Sequence, residues 1–228
     1  MDQPASDHSI RAETLTCGDI TRLSGSPRTL VDCDLEEADL SELDLSGWTF
    51  ERCNLRRADL HRADLQGTTW QSCRGAFANF NDCELSDATF TSSDFNNASF
   101  ARAALEAAKF TQCKLTGANL CDVKGMDITF DETLLINANL SGHSFLKSTM
   151  QRVDFSDANL RKCDFRHSTW IECSLRGAIV DGSRFEGADL RGADLGGFRL
   201  VDANLFRGAT ISRDQAGQLL SEMGLNVR

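Results

Sequence analysis

The chain has only two prolines in 228 residues, no apolar run near the length of about eighteen that marks a membrane helix, and no charged-then-apolar leader. These absences predict a cytoplasmic protein with no membrane span and no secretory signal. There is no GxxxxGK phosphate loop, no HExxH and no GxSxG, and the four histidines (His8, His61, His143, His167) have no spacing that suggests a site. The nine cysteines contain no CxxC pair, which argues against zinc or redox chemistry. Net charge is −10 with no basic face to meet phosphates, which argues against direct nucleic-acid binding. The expectation is a protein without catalytic residues, cofactor or metal.

What the chain does have is a bulky apolar residue at every fifth position from Leu30 to Leu205, interrupted only at Gly75 and Gly125. Two places before it stands, usually, a small residue, as in Ala58 before Leu60 or Ala188 before Leu190. On an α-helix five residues advance about 500°, so these side chains would form no stripe. In a continuous strand the odd period would flip them from face to face. The chain must therefore turn at every pentad, always the same way, with the bulky and the small residue inward. That is a solenoid.

The small residues give the length of one coil. Sampled every twenty residues they sort into files: Ala38, Ala58, Ala78, Ala98, Ala118, Ala138, Ala158 and Ala178 in one, and Cys33, Cys53, Cys73, Cys113 and Cys173 in another, with Ser93, Thr133 and Val153 between. Cys83 and Cys163 share a further file. Buried thiols serving as small hydrophobes explain this spacing. Four pentads per coil give a square cross-section, and 36 pentads from 30 to 205 give nine coils, a rod roughly 43 Å long at the strand spacing of about 4.8 Å. An outward file of Thr29, Thr49, Thr69, Thr89, Thr129, Thr149 and Thr169 marks the most strand-like face. At Gly75 and Gly125 the interior is expected to be filled by a neighbour such as Phe77 or Met126, or by a bulge.

Three regions follow: a cap of degraded coil at 1–29, the repeats at 30–209, and a tail at 210–228. In the tail Ser212 and Gln215 form a capping box, Ala216, Leu219, Leu220 and Met223 recur at helical spacing, and Gly224 stands where a helix stops. The spacing predicts one amphipathic helix from Arg213 to Met223. Its apolar surface exceeds what one narrow coil end covers, so Leu205, Ala216, Leu219, Leu220, Met223, Leu225 and Val227 are candidate dimerisation residues.

The first coil carries Asp32, Asp34, Glu36, Glu37, Asp39, Glu42 and Asp44, and residues 80–99 carry Asp82, Glu84, Asp87 and Asp94; these are the candidate partner-binding acidic surface. Arg52, Arg56, Arg57 and Arg62 follow the first cluster, so pairing between adjacent coils is the expected fate of most of these charges. Met126, Leu134, Ile136 and Leu146 form a candidate apolar contact.

The pentad of small residue, Asp or Asn, then Leu or Phe resembles the pentapeptide-repeat family, which implies an all-β, right-handed quadrilateral β-helix. The tail DQAGQLLSEMGLNV at 214–227 is similar to the C-terminal module of the Qnr and MfpA group. That resemblance implies a homodimer joined through its C-terminal ends. It also implies a rod shaped like duplex DNA, which binds DNA gyrase or topoisomerase IV and protects it from quinolones or a natural gyrase poison. The uninterrupted coils are closer to the loopless MfpA layout. A structural or adaptor protein with an unrelated partner remains open, because the repeats specify a fold and no function.

Overall fold

A bulky side chain every five residues, with a small one two places earlier, leaves the backbone one way to bury both: a turn after each pentad. The computed structural model describes residues 9–23, 25–197 and 203–227. In it, nine three-residue strands stack in chain order as one parallel sheet. They are β1 (Ser9–Arg11), β2 (Thr29–Val31), β3 (Thr49–Glu51), β4 (Thr69–Gln71), β5 (Thr89–Thr91), β6 (Lys109–Thr111), β7 (Thr129–Asp131), β8 (Thr149–Gln151) and β9 (Thr169–Ile171). The register is always twenty residues, as in Phe50 opposite Trp70. Three further ladders of single bridges, running through Asp34–Asn54, Asp39–Asp59 and Asp44–Asp64, make the other three faces. The Asp34 file acquires a second small sheet, β10 (Cys173–Ser174) beside β11 (Ala193–Asp194). The molecule is thus a four-sided β-solenoid of about nine coils with a short C-terminal helix. The threonine file opens seven of the nine strands, as its propensity for a pleated surface leads one to expect.

The corner is made by a left-handed residue. Ala38 donates to the carbonyl of Leu35 (3.1 Å) across a turn in which Glu37 has φ of +57°, and the same device recurs at Arg57, Phe77, Asn97 and Asn137. Few of these are glycine, so each corner carries strain of order 1 kcal/mol that inter-coil hydrogen bonds must offset. Inside, like stacks on like. Phe50, Trp70, Phe90 and Phe110 lie face to face with centroids 4.0, 5.6 and 4.6 Å apart. Two of the three buried indoles find a partner in the hydroxyl two residues earlier, Trp70 donating to Thr68 and Trp170 to Ser168 at 2.9 Å. The alanine file is fully buried from Ala58 to Ala158 and half-buried at Ala38 and Ala178.

Three expectations need correction. At Gly75 the space is taken by the ring of Phe95 from the next coil, which a Cβ at Gly75 would overlap, while Phe77 is 55% exposed. At Gly125 the backbone of Leu105 and Glu106 closes in, and Met126 is 71% exposed. Ile128, in a small-residue position, is buried instead. At the C-terminal end the register slips by one residue. Phe165 donates to the carbonyl of Arg184, nineteen residues on, but Phe185 donates to Leu205 and Leu190 to Thr210, twenty on. Phe206 therefore stacks on Phe185 (4.7 Å) where Leu205 was expected inward, and Leu205 is half-buried on a 3-10 turn, Ala203–Phe206. Leu200 and residues 1–8 lie outside the described residues. At the N-terminal end β1 pairs with β2 and Thr14 bridges Asp34, and then a seven-residue helix that the sequence pattern did not reveal, α1 (Cys17–Leu23), lays Ile20 on the core.

Two outcomes follow from this interior. Ala98→Leu or Ala118→Leu overpacks two stacked coils and costs about 1–3 kcal/mol, whereas Arg74→Leu, at an exposed position, stays within about 0.5 kcal/mol; chemical denaturation of the three variants checks both. Of the nine free thiols, seven are buried and only Cys17 and Cys121 are partly exposed. Burial pushes Cys83 and Cys163 up to about 12 and Cys113 to about 11. A thiol reagent on native protein should therefore give two fast equivalents and seven that react only on unfolding.

Candidate functional site

The C-terminal tail is where the regular grammar ends and a distinct surface begins. The helix α2 (Arg213–Glu222) starts at Ser212, whose hydroxyl accepts the Gln215 N–H (3.1 Å), while the Gln215 side-chain oxygen accepts the Ser212 N–H (2.6 Å). The same Gln215 does a second thing that the capping pattern does not reveal. Its amide nitrogen donates to the carbonyl of Ala193 (2.6 Å), at a position whose carbonyl elsewhere accepts from the next coil, and to that of Leu190 (2.7 Å), which also accepts the Ala193 N–H. The Glu222 carboxylate accepts the Gly197 N–H (3.1 Å), and Leu219 is 5% exposed against the core. These contacts lock α2 across the end of the rod. A buried edge whose polar groups are met is stable, and a bare one recruits other strands.

With the helix so placed, its candidate dimerisation residues divide. Leu219 is spent on the chain's own coil, Ala216 and Leu205 are half-buried, and Leu220, Met223, Leu225 and Val227 are exposed together with Ile211. Met223, the most open of them, is 64% exposed.

The acidic candidates are distributed around the rod instead of forming one face. Asp34 and Glu36 lie on one side, Asp39 on the next and Asp44 on a third, with Asp32, Glu37 and Glu42 at corners. Most meet a partner twenty residues on. Arg52 clasps Asp32 with two bonds (2.7 and 3.0 Å) and also contacts Glu51; Arg57 meets Glu37 at 3.2 Å, Arg62 meets Glu42 at 3.6 Å and Arg56 meets Glu36 at 3.9 Å. Arg102 clasps Asp82 at 2.8 and 2.6 Å. The hydrogen bonds from Arg52 and Arg102 hold Asp32 and Asp82 below the usual carboxylate range, and those from Ser41 and Ser46 do so for Asp39 and Asp44. Asp44, Asp64 and Glu84 form a stacked carboxylate column on one face whose contacts are to serine hydroxyls and backbone N–H groups, with no ion pair among the described residues. Asp94 accepts the Asn96 N–H and Asp87 is exposed.

The apolar candidates are separated. Leu134 and Ile136 belong to the ladder of Lys114 and Asp154, whereas Met126 and Leu146 stand on the opposite face, with Lys124 and Ser144. Beside the second pair lies His143, buried at an inward position, edge-to-face with Phe145 at 4.4 Å between ring centroids and with no side-chain hydrogen bond among the described residues. Burial pushes its imidazole down to about 4.

Uninterrupted coils, four ladders and a filled interior define a β-solenoid of pentapeptide coils. Family models for the pentapeptide repeat match residues 33–69, 76–140, 130–166 and 171–205, and the chain belongs to the pentapeptide-repeat family. Among solved structures, a trypsin-treated variant of QnrB1, a plasmid-mediated fluoroquinolone resistance protein, is similar over 96% of this chain and 98% of its own, at 20% identity and a TM-score of 0.54. Full-length QnrB1 gives 17% identity over 95% and 97%, with a TM-score of 0.50. HetL, a protein of heterocyst differentiation regulation from the cyanobacterium Nostoc sp. strain PCC 7120, gives 23% identity over 83% and 87%, with a TM-score of 0.49. At these identities the likeness is one of fold. No curated protein matches the sequence. No described helix is long and apolar enough to cross a membrane.

His143 generates a pH effect. Its folded value of about 4 lies below the free value of 6.5, so the unfolded chain takes up the proton first as pH falls. The stability carried by the neutral ring is whole above about pH 6.5 and is lost progressively towards about pH 4, reaching roughly 2 kcal/mol at pH 5. Denaturation at pH 7.5 and pH 5 should show this loss in the parent protein, and His143→Cys, which copies the residue stacked next to it, should remove most of it.

Proposed function

We propose that this protein is a non-enzymatic, cytoplasmic, DNA-shaped ligand that binds DNA gyrase or topoisomerase IV and protects it from quinolones or a natural gyrase poison. The observation that carries the reading is the C-terminal end: a helix fixed to the last coil by Gln215 and Glu222, presenting Leu220, Met223, Leu225 and Val227 outward. Two such ends face to face bury both apolar remainders with the same patch on each partner. The product is a two-fold symmetric rod roughly 90–100 Å long at the inter-strand spacing, matched in symmetry to an enzyme that grips duplex DNA. The similarity of the tail sequence to the Qnr and MfpA group and the fold shared with QnrB1 support the same reading.

Charge supports the reading only in part. Two protomers of −10 each spread about one charge per 5 Å, against one per ~1.7 Å for duplex DNA. Shape and the unpaired Asp44, Asp64 and Glu84 column would then do more than the bulk field. The pairing of Asp32, Glu37, Glu42 and Asp82 with arginines favours a second reading, an adaptor rod for an unrelated protein.

A gyrase supercoiling assay with and without a fluoroquinolone separates the two. Protection of supercoiling at sub-stoichiometric to equimolar protein is the expected outcome, and no effect at any concentration favours the adaptor. Leu220→Asp with Met223→Asp, both exposed on the free chain, should give a folded monomer by light scattering that protects poorly. Leu219 is left intact because it anchors the helix to the protein's own coil.

A further inference from the structure

One face of the rod is unlaced at a single coil step. On the face that carries Asp44, bridges join Glu84 to Ala104, Ala104 to Lys124, Ser144 to Asp164 and Asp164 to Arg184, but among the described residues none joins Lys124 to Ser144. The ordinary bonds from the N–H at the bulky position to the next coil, Leu105 to Lys124 (2.7 Å) and Phe145 to Asp164 (2.8 Å), have no counterpart from Gly125 to Ser144. Nor do Asp127 and Leu146 make the bond that Ala107 makes to Met126 and Lys147 to Arg166. Around the next corner β7 and β8 share one paired position, Asp131 with Gln151, where β6 and β7 share three.

The cause lies at Gly125. Its φ of +117° is open to glycine and strained for other residues. There the chain is drawn towards the preceding coil, against the backbone of Leu105 and Glu106, with Met126 N–H bonded to the Glu106 carboxylate (2.7 Å). The strand leaves its partner on the other side. A cavity of about 350 Å³ opens there, lined by Ile128, Phe130, Phe145, Leu146 and Met150, and a smaller one of about 60 Å³ opens beside His143. The two faces beyond hold, and the sheet face keeps its Asp131 end. Leu120 still donates to Asn139 (2.7 Å), Glu132 to Gln151 (3.0 Å), and Leu134 is bridged to both Lys114 and Asp154.

A solenoid is stiff because each coil is tied to the next on every side. Remove the ties from one side at one step, leave the opposite side tied and put compliant space beneath, and the two halves can rock about the tied face. We propose that the step between residues 121–128 and 141–149 is a bending joint that divides the rod into two stiff segments and lets it change curvature when it docks. The joint is a property of the free chain and holds whichever partner the rod meets.

Paired spin labels test it in a background with Cys17→Ser and Cys121→Ser. Labels at Asp44→Cys with Ala104→Cys span three coil steps within one segment, and labels at Ala104→Cys with Asp164→Cys span three steps across the joint. The cross-joint distance distribution should be at least about twice as broad as the control. In unlabelled protein, the amides of Gly125, Asp127 and Ser144 should exchange about a hundredfold faster than those of Leu85, Asp87 and Asp164, which sit at equivalent ladder positions. Gly125→Leu with Ile128→Ala, which restores the small and bulky pattern, should narrow the cross-joint distribution to the control width. Equal widths in the parent protein, or equal amide protection at the two sets of positions, would overturn the joint, as would a folded double variant that stays broad.

Discussion

Everything in this structure depends on the parallel inter-coil hydrogen-bond ladder held at a register of twenty residues. It converts a sequence period into a stack in which Phe50 meets Trp70, Thr49 meets Thr69 and Asp44 meets Asp64. Identical contacts then repeat up the rod, and each coil is stabilised by its neighbours rather than by a shared globular core. The ladder also offsets the left-handed corners, which are occupied by residues as unlike as Arg57, Phe77 and Asn97. Corner identity is free because the turn is imposed by the ladder above and below it.

The same constraint explains the two ends. A ladder has no intrinsic stop, so both ends need non-repeating pieces. At the start a short helix lays Ile20 over the open coil. At the finish a one-residue slip precedes the 3-10 turn that places Phe206 on Phe185, and Gln215 then meets the Ala193 carbonyl that a further coil would have met. The helix that closes the end to further strands also aims Leu220 and Met223 outward, so edge protection and an exposed apolar patch arise from one element.

Surface electrostatics follow the ladder as well. Because residues twenty apart are neighbours, Asp32 faces Arg52 and Asp82 faces Arg102, and an acidic coil is neutralised by the basic coil stacked on it. Net charge is therefore a poor guide to local field on such a rod. Asp44, Asp64 and Glu84 are among the carboxylates without an ion pair, and their column has no arginine at the matching step.

The residues that repeat were legible because their burial is decided by period alone: the alanine, cysteine and aromatic files, the four-sided coil and the capped C-terminal helix can all be read from spacing. The arginine pairs were legible for the same reason, once the coil length was known. Where the period fails, tertiary structure decided. Phe95, and not Phe77, fills the space at Gly75, because the turn at Phe77 points its side chain to water while the ring stacked one coil on can lean inward. Leu205 keeps the apparent phase of the repeat, yet Phe206 is the residue stacked on the core, since the slip arises in backbone pairing that no side-chain pattern records. Gln215 was visible as a helix cap, but its second pair of bonds exists only because the helix folds back over Leu190 and Ala193. Sequence by itself determined which side chains face inward along the regular rod, because a fixed register leaves each of them one choice. The ends, the irregular coil at Gly125 and the division of apolar residues between core and open surface were settled only in three dimensions, where a missing ladder bond or a folded-back helix changes what each side chain can reach.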